Sequence, residues 1–401
     1  MTDRCPARMY DPADLPGMTF DPVFLELLRD EPVARIRMRY GEGEAWLLTR
    51  YEDVKFVTSD PRFSRKIMGR PFPKMTKHHI PMDRAISFSD PPEHARVRRV
   101  VARDFSPGSI ERLRPTAEKI MHRYLDELVA SGPPADLVRH VTSPFPMAVL
   151  GELMGIPESD RQWLIDCSSQ VLSMAPDQAA VDRINGIKAE VAEYFLALVE
   201  SRRADPRDDV VSTVAAARER GDLDDEEVGA MTVLLALNGW HAVRNNSTNM
   251  VYVLLTDPEL RSRLKADLAL VPTAVEELLR YIPHKRGIGQ PRIATEDVDI
   301  RGVRISKGDV VYVSYIAANW DEEVYPEPDR VDLDRPEVPH LAFGHGPHYC
   351  MGPMLARMES QVLLSSLLTR LPDLALAVPP EQVAWQPNAL IRGPVELPVT
   401  W

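Results

Sequence analysis

The chain has 401 residues with an ordinary globular composition, 44% hydrophobic and 27% charged, and a formal net charge of -12. This acidic balance disfavours nucleic acid as a partner, because phosphate binding needs a basic surface. The N-terminal stretch lacks the apolar core of a signal peptide, and no run approaches the ~18 apolar residues of a membrane span. We therefore expect a cytoplasmic protein that neither crosses nor binds a membrane.

In chain order, the first sixty residues contain a strand-like run, "AWLLT", and a short helix, "YEDVKFVTSD". Residues 62–90 have no clean period but are rich in methionine, proline and aromatic residues, which is typical of a long functional loop. Spaced apolar residues then predict helices near 91–104, 108–132, 145–156, 159–175, 178–204, 224–256, 258–266 and 272–282. Residues 284–316 and the final "LIRGPVELPVTW" return to β-like runs. We expect one domain over residues 1–401, mainly α with a smaller β part.

The three cysteines, Cys5, Cys167 and Cys350, are odd in number and far apart, so a disulfide framework is not expected. Cys5 and Cys167 are most simply thiols. Cys350 differs, because Gly344, Gly346 and Gly352 bracket it and a helical pattern follows. A helix N-terminus favours a thiolate, and the glycines let the backbone wrap closely around the sulfur or its ligand.

Two simpler interpretations of this stretch remain open. A lone cysteine in a turn is usually just buried. A zinc site using His345, His348 and Cys350 is also conceivable, although structural zinc normally takes four ligands, often from CxxC pairs, and no such pair is present.

The stretch "FGHGPHYCMG" resembles the haem-binding signature of the cytochrome P-450 family, Phe-Gly-x-Gly-x-His/Arg-x-Cys-x-Gly. The resemblance implies an α-rich triangular prism that holds haem b between a distal and a proximal helix. It also implies that the Cys350 thiolate is the iron ligand. Phe343, Gly344 and Gly352 belong to the same signature and are expected beside the haem.

Three more stretches resemble family motifs in the right order. "DPPEHARVRR" places His94 and Arg98 one helical turn apart, which resembles a pair that binds the haem propionates, with Arg292 and His348 as further partners. "EELLR" resembles the family's Glu-x-x-Arg pair, and "EPDRVDLDR" resembles its third member. The resemblance therefore assigns Glu277, Arg280 and Arg330 to a buried structural network; in isolation, the first two would be an ordinary surface ion pair.

The predicted helix 224–256 has a polar centre, "NGWHAVRNNSTN". It resembles the family's distal helix, in which the pattern Ala-Gly-x-Asp/Glu-Thr corresponds here to Asn238, Gly239, Trp240, His241 and Ala242. Gly239 and Ala242 are expected against the haem, with glycine leaving room for it. His241 replaces the acid and Ala242 the alcohol of the family's proton relay, so protons must come from water, the substrate or His241, whose ordinary pKa is near neutrality. The polar stretch "RNNST" either contacts substrate or water, or is a face solvated at a cavity or packed on neighbouring helices.

The resemblance implies a haem-thiolate oxidoreductase. Because the acid–alcohol pair is missing, we expect radical C–C or C–N aryl coupling of a mid-sized aromatic or amide natural product, such as a cyclodipeptide. The alternatives are ordinary hydroxylation or epoxidation of a macrolide or peptide product, and a haem-binding protein without catalysis. The expected substrate contacts are Met68, Phe72, Met75, Met174, Asn238, Trp240, His284, Ile288, Leu390 and Ile391.

No flavin or iron–sulfur domain is recognisable, so electrons are expected from a separate ferredoxin and ferredoxin reductase, with the protein itself a monomer. The arginines expected at the docking face are Arg96, Arg99, Arg103, Arg112, Arg114 and Arg357. A basic patch of this kind would steer an acidic partner despite the negative net charge. The simpler interpretation is that these arginines are scattered and solvated.

Overall fold

The computed structural model describes residues 7–78, 82, 84–284, 287–336 and 338–401; the predicted thiol Cys5 lies outside them. The helices are α1 (Pro22–Asp30), α2 (Tyr51–Ser59), α3 (Glu93–Val101), α4 (Pro107–Ser131), α5 (Pro144–Met154), α6 (Arg161–Val171), α7 (Gln178–Ala204), α8 (Val210–Glu219), α9 (Asp225–Thr256), α10 (Pro258–Ala266), α11 (Val271–Tyr281), α12 (Tyr315–Ala318) and α13 (Pro353–Arg370). The strands are β1 (Arg8–Tyr10), β2 (Val33–Met38), β3 (Ala45–Leu48), β4 (Phe63–Ser64), β5 (Ala135–Asp136), β6 (Arg292–Ala294), β7 (Val298–Ile300), β8 (Val303–Ile305), β9 (Val310–Val313), β10 (Ala375–Leu376) and β11 (Pro398–Thr400).

The strands form one larger sheet in the order β1-β2-β3-β9-β6-β4, a three-stranded sheet β10-β11-β5 and the hairpin β7-β8. Strand β6 runs antiparallel to β9, with Arg292 opposite Val311, so the larger sheet fixes the position of Arg292. The C-terminal stretch does not form the strand pair that its sequence suggests. Only Pro398–Thr400 is a strand, and its partners are the distant β10 and β5.

The long helix α9 runs through the centre of the helical part. It begins in a capping box, in which the Asp224 carboxylate accepts from the Glu227 N–H and the Glu227 side chain accepts in return from the Asp224 N–H. Helices α5, α6 and α7 pack against it, while α13 packs on α4 and α11. Nearly every side of α9 is therefore covered by protein, which explains its apolar ends.

The apolar core has one large cluster among the helices and two smaller clusters around the sheet. The stretch 62–90 is mostly irregular among its described residues, with only the short strand β4 and one 3-10 turn, Ile86–Phe88. This agrees with the predicted loop. In the part of the chain that the structure describes, no helix combines the length and the apolarity that a membrane crossing requires.

Candidate functional site

Cys350 lies in a tight loop that packs on α2 and leads into α13. Its N–H donates to the carbonyl of Phe343 at 2.9 Å. Gly344 and Gly346 adopt left-handed backbone angles, with φ of +78° and +72°, and a side chain at Gly346 would collide with the Thr58 carbonyl. The loop is thus held in one shape, and it presents Cys350 on the exposed side.

The Arg357 guanidinium packs on the phenyl ring of Phe343, and its central carbon lies 4.7 Å from the ring centroid. Arg357 in turn donates two hydrogen bonds, of 2.7 and 2.8 Å, to Glu276 on α11. Arg357 therefore braces the cysteine loop against α11. Its place in a docking face stays a prediction, and in this structure its guanidinium is held by the ion pair and the ring contact.

Near the cysteine loop, five basic side chains meet. The rings of His94 and His348 are 4.3 Å apart, and Arg292 and Arg65 are almost fully buried. Burial, together with Arg65, His94, Arg292 and Arg98, lowers the pKa of His348 to about 2. Burial and the neighbouring Arg292 lower the pKa of Arg65 to about 9. Side chains that lower one another's pKa in this way suit a ligand with carboxylates, which would balance their charge.

Arg65 was missed in the sequence because nothing in "RFSRK" distinguishes it from a surface residue. The structure shows why it belongs here. Its backbone N–H and the Ser64 hydroxyl both donate to the Asp90 carboxylate, at 2.8 and 2.5 Å. Its guanidinium donates to the carbonyls of Ser87 and Gln290, at 3.0 Å each. The loop before α3 is therefore folded around this arginine. Arg98 lies beside the cysteine, since its guanidinium donates to the Cys350 carbonyl at 3.2 Å.

One face of α9 is left partly exposed while the residues around it are buried. It consists of Leu234, Asn238, Ala242 and Asn246, spaced by four residues as one helical face requires. Leu234 and Asn238 line the main cavity. This face carries an alkyl group or an amide at each of these positions, and neither a carboxylate nor a hydroxyl.

The structure bears on three expectations for α9. The missing side chain of Gly239 points at α5, where an added Cβ would lie 3.1 Å from Leu150, so the glycine lets the two helices pack closely. The indole of Trp240 donates to the Ser143 carbonyl at 2.7 Å within the core, so Trp240 is not a cavity residue. Burial and the nearby Arg244 lower the pKa of His241 to about 3, so its imidazole is neutral near pH 7 and cannot serve as a protonated donor.

The buried network around Glu277 differs from its prediction at one position. Glu277 and Arg280 form a paired hydrogen bond, at 2.7 and 2.8 Å, with both side chains buried. The third arginine is Arg335, which donates to Glu277 at 3.2 Å and is 9% exposed. The Arg330 side chain is 65% exposed and pairs with Glu327, and only its backbone carbonyl joins the network. The sequence "EPDRVDLDR" offers two arginines, and the wrong one was assigned.

The main cavity has a volume of about 270 Å³. It is lined by Phe72, Lys74, Met75, Thr76, His78, Ser87, Leu172, Leu234, Asn238, Ile288, Gly289, Gln290, Pro291, Tyr312, Leu390 and Ile391. Six of the ten expected substrate residues are among them: Phe72, Met75, Asn238, Ile288, Leu390 and Ile391. The mixture of apolar, aromatic and amide groups is typical of a site for a mid-sized organic molecule.

The other four expected substrate residues lie outside this lining. Trp240 belongs to the core, as described above. Met68 packs against the apolar cluster beside the larger sheet. His284 is buried, and its carbonyl accepts from the Arg392 N–H at 2.7 Å. Met174 follows Ser173, which forms a β-bridge with Ala389 at the edge of the cavity region.

The arginines expected at the docking face differ in their surroundings. Arg99, Arg103 and Arg112 are exposed. Arg96 pairs with Glu227 on α9, and Arg114 pairs with Glu111 at 2.6 Å. Three of the six arginines, Arg96, Arg114 and Arg357, are therefore held in ion pairs, although Arg96 is itself exposed.

A zinc site is not supported in the described part of the chain, where no cluster of three or more His, Cys, Asp or Glu side chains suits a metal ion. His345 lies 3.1 Å from the Thr58 hydroxyl instead. What the residues near Cys350 do fit is a ligand with carboxylates, because the buried Arg65 and Arg292 lie close to His348 and to the loop that holds the exposed thiol. A helix-rich fold with such a site defines a class of haem-binding oxidoreductases.

Comparisons with known proteins agree. The Cytochrome P450 family model matches residues 23–374. Biflaviolin synthase of Streptomyces coelicolor is 44% identical over 99% of this chain and 97% of its own length, and mycinamicin IV hydroxylase/epoxidase of Micromonospora griseorubida is 41% identical over 98% of each. The crystal structure of cytochrome P450mel 107F1, described as having biaryl coupling reactivity, superposes with a TM-score of 0.92 at 45% identity, covering 96% of this chain and 97% of that one.

The chain belongs to the cytochrome P450 family. It therefore has the single-domain P450 fold and uses haem as its cofactor, as its signature predicted. It is an oxidoreductase of the monooxygenase type found in natural-product biosynthesis.

Proposed function

We propose that this P450 joins aromatic rings of a natural product by oxidative coupling. The observation that carries the proposal is the cavity face of α9, where Asn238, Ala242 and Asn246 offer neither the acid nor the alcohol of the usual proton relay. One of the proteins compared above, P450mel, supports it by its description, which states biaryl coupling reactivity. Cyclodipeptides remain one candidate within this substrate class.

We assign the haem contacts as follows. Cys350 would ligate the iron, Phe343, Gly344 and Gly352 would shape the loop around it, and Ala242 would contact the distal face. His94, Arg98, Arg292 and His348, with Arg65 added from the structure, would bind the two propionates. When bound, the haem supplies the activation of dioxygen and the removal of electrons from the substrate.

The protein's own contribution is to hold two aromatic groups and to restrict proton delivery. Per new ring–ring bond, two substrate hydrogens are lost, and dioxygen with two further electrons and two protons leaves as two waters. Because His241 is a buried neutral imidazole and position 242 is alanine, protons would reach the distal side only through water or the substrate itself. A substrate with its own acidic hydroxyl or N–H group suits this arrangement, since it can supply the hydrogen that is abstracted.

The mycinamicin relative favours a second candidate, ordinary hydroxylation or epoxidation. Mass spectrometry of products from aromatic substrates distinguishes the two. Coupling gives a dimer, or a cyclised product, that has lost two hydrogens. Hydroxylation gives a product with one added oxygen, and such a product as the main outcome for the native protein would disprove the coupling proposal.

A variant carrying His241→Glu and Ala242→Thr restores the relay pair and should raise the share of oxygenated product. The matched control is Asn246→Thr, which places a hydroxyl on the same face one turn further along. If the double variant only accelerates an oxygenated product that the native protein already makes, the native site is a slow hydroxylase.

We further propose that electrons arrive from a ferredoxin and its reductase in the cytoplasm, and that the protein acts as a monomer. Arg99, Arg103 and Arg112 are the exposed cations near the cysteine loop and would attract an acidic partner. Replacing Arg99 and Arg103 by Gln should slow reduction by ferredoxin at low salt, with the difference disappearing at high salt. Equal rates of reduction at low salt would argue against this docking face.

A further inference from the structure

The polar stretch of α9, residues 244–249, contacts a segment far away in sequence. This C-terminal loop (residues 385–395) is closed by a β-bridge between Trp385 and Pro394. The Asn245 amide donates to the Ile391 carbonyl at 2.7 Å, and the Asn249 amide donates to the Arg392 carbonyl at 3.0 Å. The helix thus binds the backbone of the loop.

The guanidinium of Arg244, the residue directly before Asn245, continues this row of contacts. It donates to the Pro394 carbonyl at 3.1 Å, to the Val395 carbonyl at 3.3 Å and to the Asn245 side-chain oxygen. Burial lowers the pKa of Arg244 to about 10, so the guanidinium is still charged at neutral pH. A charged donor makes the stronger kind of hydrogen bond, and here its partners are carbonyls of the loop.

The loop and the helix are in very close contact. Asn245 and Asn249 are fully buried, and Arg244 is 7% exposed. A side chain added at Gly393 would lie 2.6 Å from the Asn245 side chain, so glycine is required for this approach. On its far side, the loop is fixed to the N-terminal segment, where the Arg392 guanidinium donates to three carbonyls at 2.8–2.9 Å.

The tip of this loop reaches the main cavity. Leu390 and Ile391 line it, together with Asn238 of α9. The carbonyl that Asn245 holds belongs to Ile391, so the hydrogen bond fixes the backbone of a residue that forms the cavity wall. Displacing this bond moves the wall directly, with no intervening residue.

We propose that Arg244 and Asn245 are positioning residues that set substrate selection by holding the C-terminal loop, and with it Leu390 and Ile391, against the cavity. A helix that only had to pack would use apolar side chains here, because burying polar groups is costly unless they are paired. The hydrogen bonds from the Asn245 and Asn249 amides and the Arg244 guanidinium to loop carbonyls give the loop one position instead of several. The inference rests on the cavity being the substrate site and is independent of whether the product is coupled or oxygenated.

The test compares Asn245→Leu with Thr248→Val in the haem-loaded protein. Both substitutions remove a buried polar group at nearly constant shape. Thr248 lies on the same helix, is fully buried and bonds Thr142 at 2.7 Å, away from the loop. It therefore controls for a general loss of stability. Gly393→Ala is a second variant, which displaces the loop from the other side.

Two azole probes report the cavity wall by their spectral shifts: imidazole, which is too small to need the wall, and 4-phenylimidazole, which is large enough to contact it. For Asn245→Leu and Gly393→Ala, we expect 4-phenylimidazole to bind roughly threefold to tenfold more weakly, the range for one lost buried hydrogen bond, with imidazole unchanged. Hydrogen–deuterium exchange should rise in residues 385–395. Thr248→Val should change neither the ratio of the two affinities nor the exchange of the loop.

An equal change of the affinity ratio in Thr248→Val would show a merely structural role and overturn the proposal. So would faster exchange of the loop with an unchanged ratio, because the loop position would then not set the cavity. Neither azole needs to be turned over, so failure of the coupling proposal would leave these measurements intact.

Discussion

Glu277→Ala is the most direct test of the buried network. The Glu277 carboxylate accepts two hydrogen bonds from Arg280, one from the Arg335 side chain and one from the Asp332 N–H at 3.1 Å. Removing it leaves two buried guanidiniums without their counter-charge. The remaining carbonyl acceptors of Arg280, from Asn319, Pro328 and Arg330, do not replace that charge.

Breaking a buried ion pair by removing one partner costs about 3–5 kcal/mol. For 401 residues, the entropy of unfolding is roughly 0.8 kcal/mol per degree, so we expect the melting temperature to fall by about 4–6 °C. Arg335→Ala removes one charged hydrogen bond to Glu277 and should cost roughly 1.5–3 kcal/mol, or about 2–4 °C. Arg330→Ala changes an exposed side chain and should stay within about 0.5 kcal/mol, which is under about 1 °C.

The assay is circular dichroism of the haem-loaded proteins at one fixed heating rate, with haem content measured beforehand. The order expected is Glu277→Ala, then Arg335→Ala, with Arg330→Ala close to the native protein. If Arg330→Ala lowers the melting temperature as much as Arg335→Ala does, the sequence-based assignment was right and the arrangement of the network described here is wrong.

Three further predictions address other parts of the site. Cys350→Ser should abolish the thiolate-type spectrum of the reduced carbon monoxide complex, and its survival would exclude Cys350 as the iron ligand. His241 binds a proton only near pH 3 when folded but near its ordinary pKa of 6.5 when unfolded, so the unfolded chain gains protons first as the pH falls. The native protein should therefore lose about 1 kcal/mol through this residue between pH 7 and 5.5, measured by urea unfolding, and His241→Asn should lack that part of the loss. Gly239→Ala should leave haem content unchanged and crowd Leu150, with Leu150→Val relieving the strain; loss of haem in Gly239→Ala would instead place the glycine against the cofactor.

Local patterns were sufficient to predict most of the helices. Helix α4 was expected at 108–132 and runs over Pro107–Ser131, and α7 was expected at 178–204 and runs over Gln178–Ala204. The N-caps Ser106 and Asp177 accept hydrogen bonds from N–H groups in the first turn of their helices. Each cap directly precedes its helix, so a short stretch of sequence is enough to predict where the helix begins. The C-terminal strand β11 could not be predicted in this way, because its partners β10 and β5 are more than twenty and more than two hundred and fifty residues away.

The same contrast between local and long-range contacts explains which site residues could be predicted from the sequence. The cysteine loop and the Glu277–Arg280 pair are defined by residues within ten positions of each other, and their signatures could be read directly. Arg65 and Arg335 join their clusters through folding of loops that have no periodic pattern. Gly239 lies on the predicted helix, and its contact with Leu150 of α5 was not foreseen, because a single helix sequence does not say which neighbour each face meets.

The polar centre of α9 shows why the side chains alone do not predict their hydrogen-bond partners. Its sequence shows hydrogen-bonding groups in a buried helix. It allows two interpretations: contact with substrate or water, or a face that is solvated at a cavity or packed on neighbouring helices. The actual acceptors are backbone carbonyls of residues 391–395, about 145–150 positions later in the chain. Backbone carbonyls have no sequence identity, so no motif could mark them. The one local trace is Gly393, which permits the approach and whose meaning appears only when the loop is placed beside Asn245. A polar stretch in a buried helix therefore predicts that its side chains have hydrogen-bond partners. Only the folded structure shows that the partners here are carbonyls of the loop that forms part of the cavity wall.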